Sequence, residues 1–515
     1  MTASELLLPD QVTLHGVGEV LAAALPIRDG VRREHDRAYF DTFDGLLHGA
    51  GLWLVHEDGV LALVERDTGL VRASLAMEPP ARPLFASELA AGPLRDALID
   101  LIEIRALLPL VRLHARERLM SVLDDEQKTV VRLVLDESTV TGGAAAGSRL
   151  RPRVRVLAVR GYDTEHRQVE ATLEHELGFK PAEEPLVDEA IRVAGGVPGG
   201  VPAKIDVPLR PDERADVAAA AVLRALLEVI EANLDGTIAD LDSEFLHDLR
   251  VSVRRSRAVQ RELRGVFVPD ALAHFRAEFR WLQQATGDAR DLDVHVLEFA
   301  AMRGLVPETM RGDLDPLLDV LRARRVLARR RLVSALRSQR AGRVLADWRA
   351  FLDGLERRPD ADRPDAARPI GAVSGERIRK VYRQMVRMGS AIDASTPAEH
   401  FHELRKKGKE LRYLLELFGA PLYPEEVVKP MIRTLKGLQD VLGRHQDREV
   451  QVELLRALGP EVGQTDSPEA ALMAIGALIA RLGEDAQAAR ADFASRFAEF
   501  AASEQRSLVN ETFAP

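Results

Sequence analysis

One segment of this chain occurs twice. His247-Asp-Leu-Arg250, followed by Arg254 and Arg257, is matched by His402-Glu-Leu-Arg405, followed by Lys409 and Arg412, 155 residues later. Downstream, Leu282-Gln283 with Gly287 and Asp291 is matched by Leu438-Gln439 with Gly443 and Asp447, at an offset of 156. Two separate matches at nearly one offset define a duplication, and a duplication restricts the fold to two similar units related by approximate symmetry.

The spacing fixes what the units are made of. His247, Arg250, Arg254 and Arg257 stand at i, i+3, i+7 and i+10, which on a helix falls within about 80° of arc and about 15 Å of length. One helix face is therefore a cationic stripe, and His402, Arg405, Lys409 and Arg412, with Lys406 beside them, form its counterpart. Stacked like charges cost an isolated helix a few tenths of a kcal/mol per pair, so a sequence that keeps the arrangement twice has an anion to offset it. Arginine forks take phosphate oxygens in pairs, lysine supplies a point charge, and histidine donates near neutral pH. Arg280 and Lys436, each seven residues before its glycine, provide a second cationic row. Arg322, Arg325 and Arg329 have similar helical spacing, as do Arg379, Arg383 and Arg387; the bland reading of all such rows is a solvated face with acids from neighbouring helices. Gly287 and Gly443 are expected to end helices, and Asp291 and Asp447 to cap the next ones.

Around this region the chain changes character. From Pro211 onward it is rich in Ala, Leu, Arg and Glu with apolar spacing of three and four, the pattern of an all-α domain. Arg357-Arg-Pro-Asp-Ala-Asp-Arg-Pro364 divides it into halves, about 211–356 and 370–510. Gly195-Gly-Val-Pro-Gly-Gly-Val-Pro202 marks a linker (191–210). Before it, residues 1–190 read as an α+β domain with a mainly antiparallel sheet: Val130–Leu135 and Arg153–Val159 as strands, Thr141–Gly147 as the loop between them, Leu94–Leu108 as a helix.

Charge separates the same regions. The 515 residues carry a formal net charge of −10, yet residues 1–200 hold 22 basic against 32 acidic side chains, and the remainder 49 of each. The helical region is thus neutral in sum but clustered in sequence: Val320–Arg349 contains ten Arg and one acid, Asp347. Local field follows clustering more than the sum. The absence of cysteine excludes a disulfide scaffold, a cysteine-ligated zinc and a thiol nucleophile. With neither a signal-peptide pattern nor an apolar run of about 20 residues, a cytoplasmic protein without membrane association is expected.

The duplicated motif resembles that of the CHAD family, the conserved histidine α-helical domain, whose His-x-x-Arg and Lys/Arg ladder stand here as His247 to Arg257 and, more fully, as His402-Glu-Leu-Arg-Lys-Lys-Gly-Lys-Glu-Leu-Arg-Tyr413. The resemblance spans roughly 211–510. It implies two four-helix bundles facing each other across a basic pore, inorganic polyphosphate as the ligand, and residence on polyphosphate granules, with no cofactor. Val251 stands where the second copy has Lys406, which implies unequal contributions from the halves.

The N-terminal region is similar to a degraded CYTH domain, the triphosphate tunnel fold that often precedes CHAD. Tyr39-Phe-Asp-Thr-Phe-Asp44 with Gly49 and Gly51-Leu52 resembles its early strand pair, and Ala171-Thr-Leu-Glu-His-Glu-Leu177 its late acidic strand. The family's opening Glu-x-Glu-x-Lys is missing, and the first lysine in the chain is Lys128. Arg112, His114, Arg116 and Arg118 alternate on one expected strand face, Arg151, Arg153 and Arg155 on another, and Glu170, Glu174 and Glu176 on a third. Either they line a tunnel that still holds an anion, or they pair across strands and fill it. Loss of the metal-binding and substrate-binding groups together implies a catalytically weak or dead domain, since phosphoryl transfer needs a metal to neutralise developing charge.

Non-catalytic polyphosphate binding is the leading expectation. The alternatives are a metal-dependent triphosphatase or short-chain polyphosphatase in the N-terminal domain, and nucleic-acid binding, against which stands an aromatic content of only 5%. No protein partner is legible.

Overall fold

The structure, a computed structural model, describes residues 4–9, 12, 16–80, 82–393, 395–465 and 468–514. The chain divides into two compact units, Met1–Ala203 and Lys204–Pro515.

Unit 1 is built on an antiparallel sheet. Its strands are β1 (Ser4–Leu7), β2 (Ile27–Asp41), β3 (Leu52–Glu57), β4 (Val60–Glu65), β5 (Val71–Ala76), β6 (Leu84–Phe85), β7 (Ala106–Leu123), β8 (Thr129–Val140), β9 (Arg153–Ala158) and β10 (Lys180–Pro181). Among the described residues the order is β10-β1-β9-β8-β7-β2-β3-β4-β5, with β6 on β7. Helices α1 (Val17–Ala24), α2 (Pro93–Ile102), α3 (Asp163–Ala171) and α4 (Leu186–Val193) accompany it. The long strands β2 and β7 pair over most of their length, with Arg33 opposite Glu117, Glu34 opposite Arg116 and Asp36 opposite His114.

Two expectations are corrected here. The helix expected over Leu94–Leu108 stops at Ile102, because Leu107 and Leu108 already belong to β7, where Leu107 pairs with β6. The acidic segment around Glu170, Glu174 and Glu176 is not a strand: α3 runs into a π-helical turn, Thr172–Glu176. Its spacing of three and four buries His166, Val169 and Leu173 on one side, a helical period that outweighs the alternation of acids at 174 and 176.

The Gly/Pro segment is docked onto unit 1. Gly199 and Gly200 lie so close to the Phe43–Gly45 turn that a Cβ on Gly200 would stand 2.3 Å from Phe43 O. Both Gly45 and Gly200 have φ near +70°, and Val201 N–H donates to Phe43 O at 3.0 Å. Only glycine satisfies both demands at once.

Unit 2 is helical and repeats one plan. The first half runs α5 (Ala215–Ala232), α6 (Ser243–Glu262), α7 (Pro269–Ala285), α8 (Gly287–Leu297), α9 (Asp315–Leu336) and α10 (Gln339–Asp353). The second runs α11 (Ile370–Ser390), α12 (Ala398–Leu414), α13 (Glu425–Val462), α14 (Pro468–Phe500) and α15 (Ser503–Thr512). Thus α5 corresponds to α11, α6 to α12, the pair α7 and α8 to the single α13, α9 to α14, and α10 to α15. The halves share their interior: one core joins Leu223, Leu249, Phe279 and Trp348 to Val381, Leu404, Leu438 and Phe493. A second joins Leu314, Leu317 and Leu321 to Leu458, Leu478 and Leu482.

The break between the halves is clasped rather than loose. Arg363, with no exposed side-chain surface, meets the equally buried Asp216 at the start of α5 (3.0 Å) and donates to Val266 O and Pro359 O. Ile370 N–H donates to Glu213 O, so the entries to both halves are tied together.

Candidate functional site

Helices α6 and α12 carry the two stripes and pack against each other. Each is set by a buried apolar face, Phe245, Leu246, Leu249 and Val253 on α6 and Phe401, Leu404 and Leu411 on α12, which leaves the basic positions half-buried along its flank. Asp242 starts α6 by accepting from the backbone N–H of Glu244 (2.8 Å) and Phe245.

The stripes meet at Lys409. Its half-buried ammonium lies among Arg405 on its own helix and Arg254 and Arg250 on α6, with Asp447 of α13 the acid that opposes them. Burial, then repulsion from Arg405 and Arg254, pushes its pKa down to about 8. Arg250 is pushed down to about 10 by burial, with Arg254 and Arg290 adding repulsion against Asp291 and Asp288. Arg257 is lowered as well, by burial and then by Arg280, Arg261 and Arg276. Among the described residues no carboxylate stands within ion-pair distance of Arg254, Arg257, Arg276, Arg280 or Lys409. This is a band of positive charge that the protein itself leaves largely uncompensated. Arg276, Arg261 and Arg290 belong to its surroundings and were not singled out by sequence; Arg276, one turn before Arg280, had the spacing that would have found it.

The two copies differ where the helix breaks. Between α7 and α8 the hydroxyl of Thr286 donates to Leu282 O (2.9 Å), and Arg250 donates to both Gln283 O and Thr286 Oγ1 at 3.0 Å. In the second copy Leu442 replaces Thr286, α13 continues unbroken, and Arg405 pairs with Asp447 at 3.0 Å instead. The glycines therefore do not end helices: Gly287 opens α8 and Gly443 lies within α13. Each lies under a guanidinium, since a Cβ would stand 3.6 Å from Arg250 Nη1 and 3.7 Å from Arg405 Nη2. Asp291 and Asp447 lie inside helices and do not cap them; both carboxylates act electrostatically on buried His295, against the larger effect of its burial.

His402 Nδ1 donates to Gln446 Oε1 at 2.8 Å, which fixes the ring and turns Nε2 away from that contact. His247 lies beside Glu244 and Asp248, whose ligand atoms and its own fall within 4.8 Å of one another. Among the described residues this is the group with the donor set to share a cation.

Other expected cations are held elsewhere. Arg412 pairs with Glu416 (2.6 Å), which also takes Arg255 of α6, and exposed Lys406 pairs with Glu403. Arg325 is bound by Asp293 and Asp240, Arg329 by Asp240 and Thr237 O, and Arg322 faces Asp319 at 3.8 Å. The arginine-rich run 320–349 is neutralised further by Glu461, Glu278 and Glu231 from other helices. Arg383 donates to Asn510 and lines, with Arg379 and Arg387, a groove along α11. Lys436 is exposed on α13.

In unit 1 most of the expected basic groups are paired with carboxylates, Arg112 excepted among the described residues, and Arg151 meets Glu189 of α4. Arg37 meets Glu57, Glu117 and Asp136; Arg155 meets Glu117; Arg153 meets Glu5 and Glu189. His114, Arg116 and Arg118 meet Asp36, Glu34 and Asp29. These basic groups are occupied by the protein's own carboxylates.

Unit 2 is therefore a duplicated helical domain whose two basic helices converge on one cationic band. Residues 221–456 match the family model described as CHAD domain, and the chain contains that domain. Among solved structures, the crystal structure of the CHAD domain from the plant Ricinus communis is 27% identical with a TM-score of 0.46, covering 57% of this chain and 96% of that one. PptA from Streptomyces chartreusis is 19% identical with a TM-score of 0.40, covering 55% and 99%. No curated protein matches. The antiparallel sheet of unit 1 is compatible with a CYTH-like tunnel fold. No helix among the described residues is long and apolar enough to cross a membrane.

Proposed function

We propose that this protein binds inorganic polyphosphate along the cationic band of unit 2, without catalysis, and thereby associates with polyphosphate granules. The observation that carries the reading is the convergence of Arg250, Arg254, Arg405 and Lys409 from two helices with so little acid between them. Such a cluster is costly when empty and is relieved by a ligand that brings several negative charges in a row. A single phosphate is shorter than the band, whereas a chain of phosphates matches it. Unit 1 is read as a tunnel fold filled by its own ion pairs, with no triphosphatase activity.

The test is binding of labelled long-chain polyphosphate to the wild type and to a variant with His247, Arg250, His402 and Arg405 all replaced by Ala, at two salt concentrations. Tight binding that falls steeply with salt and is lost in the folded variant supports the proposal; unchanged binding overturns it. Metal-dependent phosphate release would move the function to unit 1, and equal competition by RNA would make the site a general polyanion site.

A further inference from the structure

The duplication predicts two equivalent halves of the cationic band, and the structure neutralises one of them. In the second copy Arg405 is held by Asp447, Lys406 by Glu403 and Arg412 by Glu416. Arg257, the counterpart of Arg412, has no carboxylate within ion-pair distance among the described residues. The cause lies in two positions. Where the second copy has Glu410 and Glu416, the first has Arg255 and Arg261, 155 residues earlier. The four pair crosswise between the halves, Arg255 with Glu416 and Arg261 with Glu410, each at 2.9 Å. Both carboxylates thus stand on the second copy. Arg412 finds Glu416 one turn on, whereas Arg257 finds Arg261 there, an arginine already taken across the interface.

Helix α7, packed against α6, adds to the imbalance. It buries Phe275, Phe279 and Leu282, which leaves Arg276 and Arg280, one turn apart, exposed. Both act on Arg257 across the helix pair. The acid between them in sequence, Glu278, is engaged by Arg340 at 2.8 Å. In the second copy, 156 residues on, Ile432 replaces Arg276 and packs on the core, and Lys436 replaces Arg280. Arginine forks take phosphate oxygens in pairs, and packed helix axes lie ~8–10 Å apart. Guanidiniums approaching from two helices are therefore bridged better by linked phosphates than by a lone one.

We infer that the first half of the band is a discrete subsite for a short oligophosphate, a diphosphate or triphosphate unit that is either free or the end of a longer chain, held by Arg257, Arg276 and Arg280. This subsite rests on the polyphosphate reading of the band and gives it a polarity, with a chain anchored between α6 and α7 and held less tightly along α12.

The experiment titrates the full chain, in the presence of a chelator and at fixed salt, with tripolyphosphate, ATP and long-chain polyphosphate by calorimetry. Tripolyphosphate is expected to fill a single site per chain. Its affinity should fall at least tenfold in Arg276→Gln/Arg280→Gln and less than twofold in Arg481→Gln/Arg496→Gln, which removes equal charge from exposed positions on α14. ATP carries the same unit: binding no tighter than tripolyphosphate assigns the subsite to the inorganic ligand and tighter binding to a nucleotide, and both uphold it. Two equivalent tripolyphosphate sites, no saturable binding, or equal affinity in wild type and Arg276→Gln/Arg280→Gln overturn the inference. Long-chain polyphosphate that still binds in that event leaves the polyphosphate reading standing, and its failure to bind removes both.

Discussion

Replacing Lys409 with Met should make the ligand-free protein more stable and a worse polyanion binder. The ammonium is held at a pKa of about 8 against an ordinary 10.5, and at ~1.4 kcal/mol per pKa unit the charged form costs the fold at most about 3 kcal/mol. Because the folded pKa is the lower one, the unfolded chain binds the extra proton between pH 8 and 10.5, and wild-type stability rises with pH across that window. Below pH 8 the cost is present in full. Methionine keeps an unbranched apolar stem, one atom shorter than lysine, without the charge. Urea denaturation of both proteins at pH 7 should therefore show Lys409→Met more stable by up to about 3 kcal/mol, and the gain should shrink towards zero by pH 10.5. The same variant should lose polyphosphate affinity at least tenfold at pH 7. A destabilised variant, or a gain independent of pH, would refute the account of Lys409 as an uncompensated buried cation.

Other outcomes follow from the same geometry. Arg363→Ala takes one of two guanidinium partners from buried Asp216, which keeps Arg214, and should cost about 1–3 kcal/mol in urea denaturation, with the double variant Asp216→Ala/Arg363→Ala costing less than the sum of the singles. Arg325→Gln should lower stability by about 1–3 kcal/mol while leaving polyphosphate affinity within twofold, because its guanidinium is taken by Asp240 and Asp293. Incubation with tripolyphosphate and Mg²⁺ or Mn²⁺ should release no phosphate above the protein-free rate; activity lost on Glu117→Gln would instead place a working site in unit 1.

The duplication, the helical nature of the C-terminal region and the two His-x-x-Arg stripes are local patterns, and they were legible because spacing along a helix decides which face a residue occupies. Which cations stay unneutralised was not legible. Arg325, Arg329 and Arg349 look as basic in sequence as Arg254 and Arg257, but their counter-charges come from Asp240, Asp293 and Glu231, as many as 118 residues away. The same holds in unit 1, where Arg37 and Asp136 are joined across the sheet. Where the helix breaks, Thr286 stands against Leu442 of the second copy, and Arg250 and Arg405 take different partners there. Sequence determined where the charges stand on each helix; only the tertiary structure decided which of them are cancelled, because electrostatic pairing is made through space between segments remote in the chain.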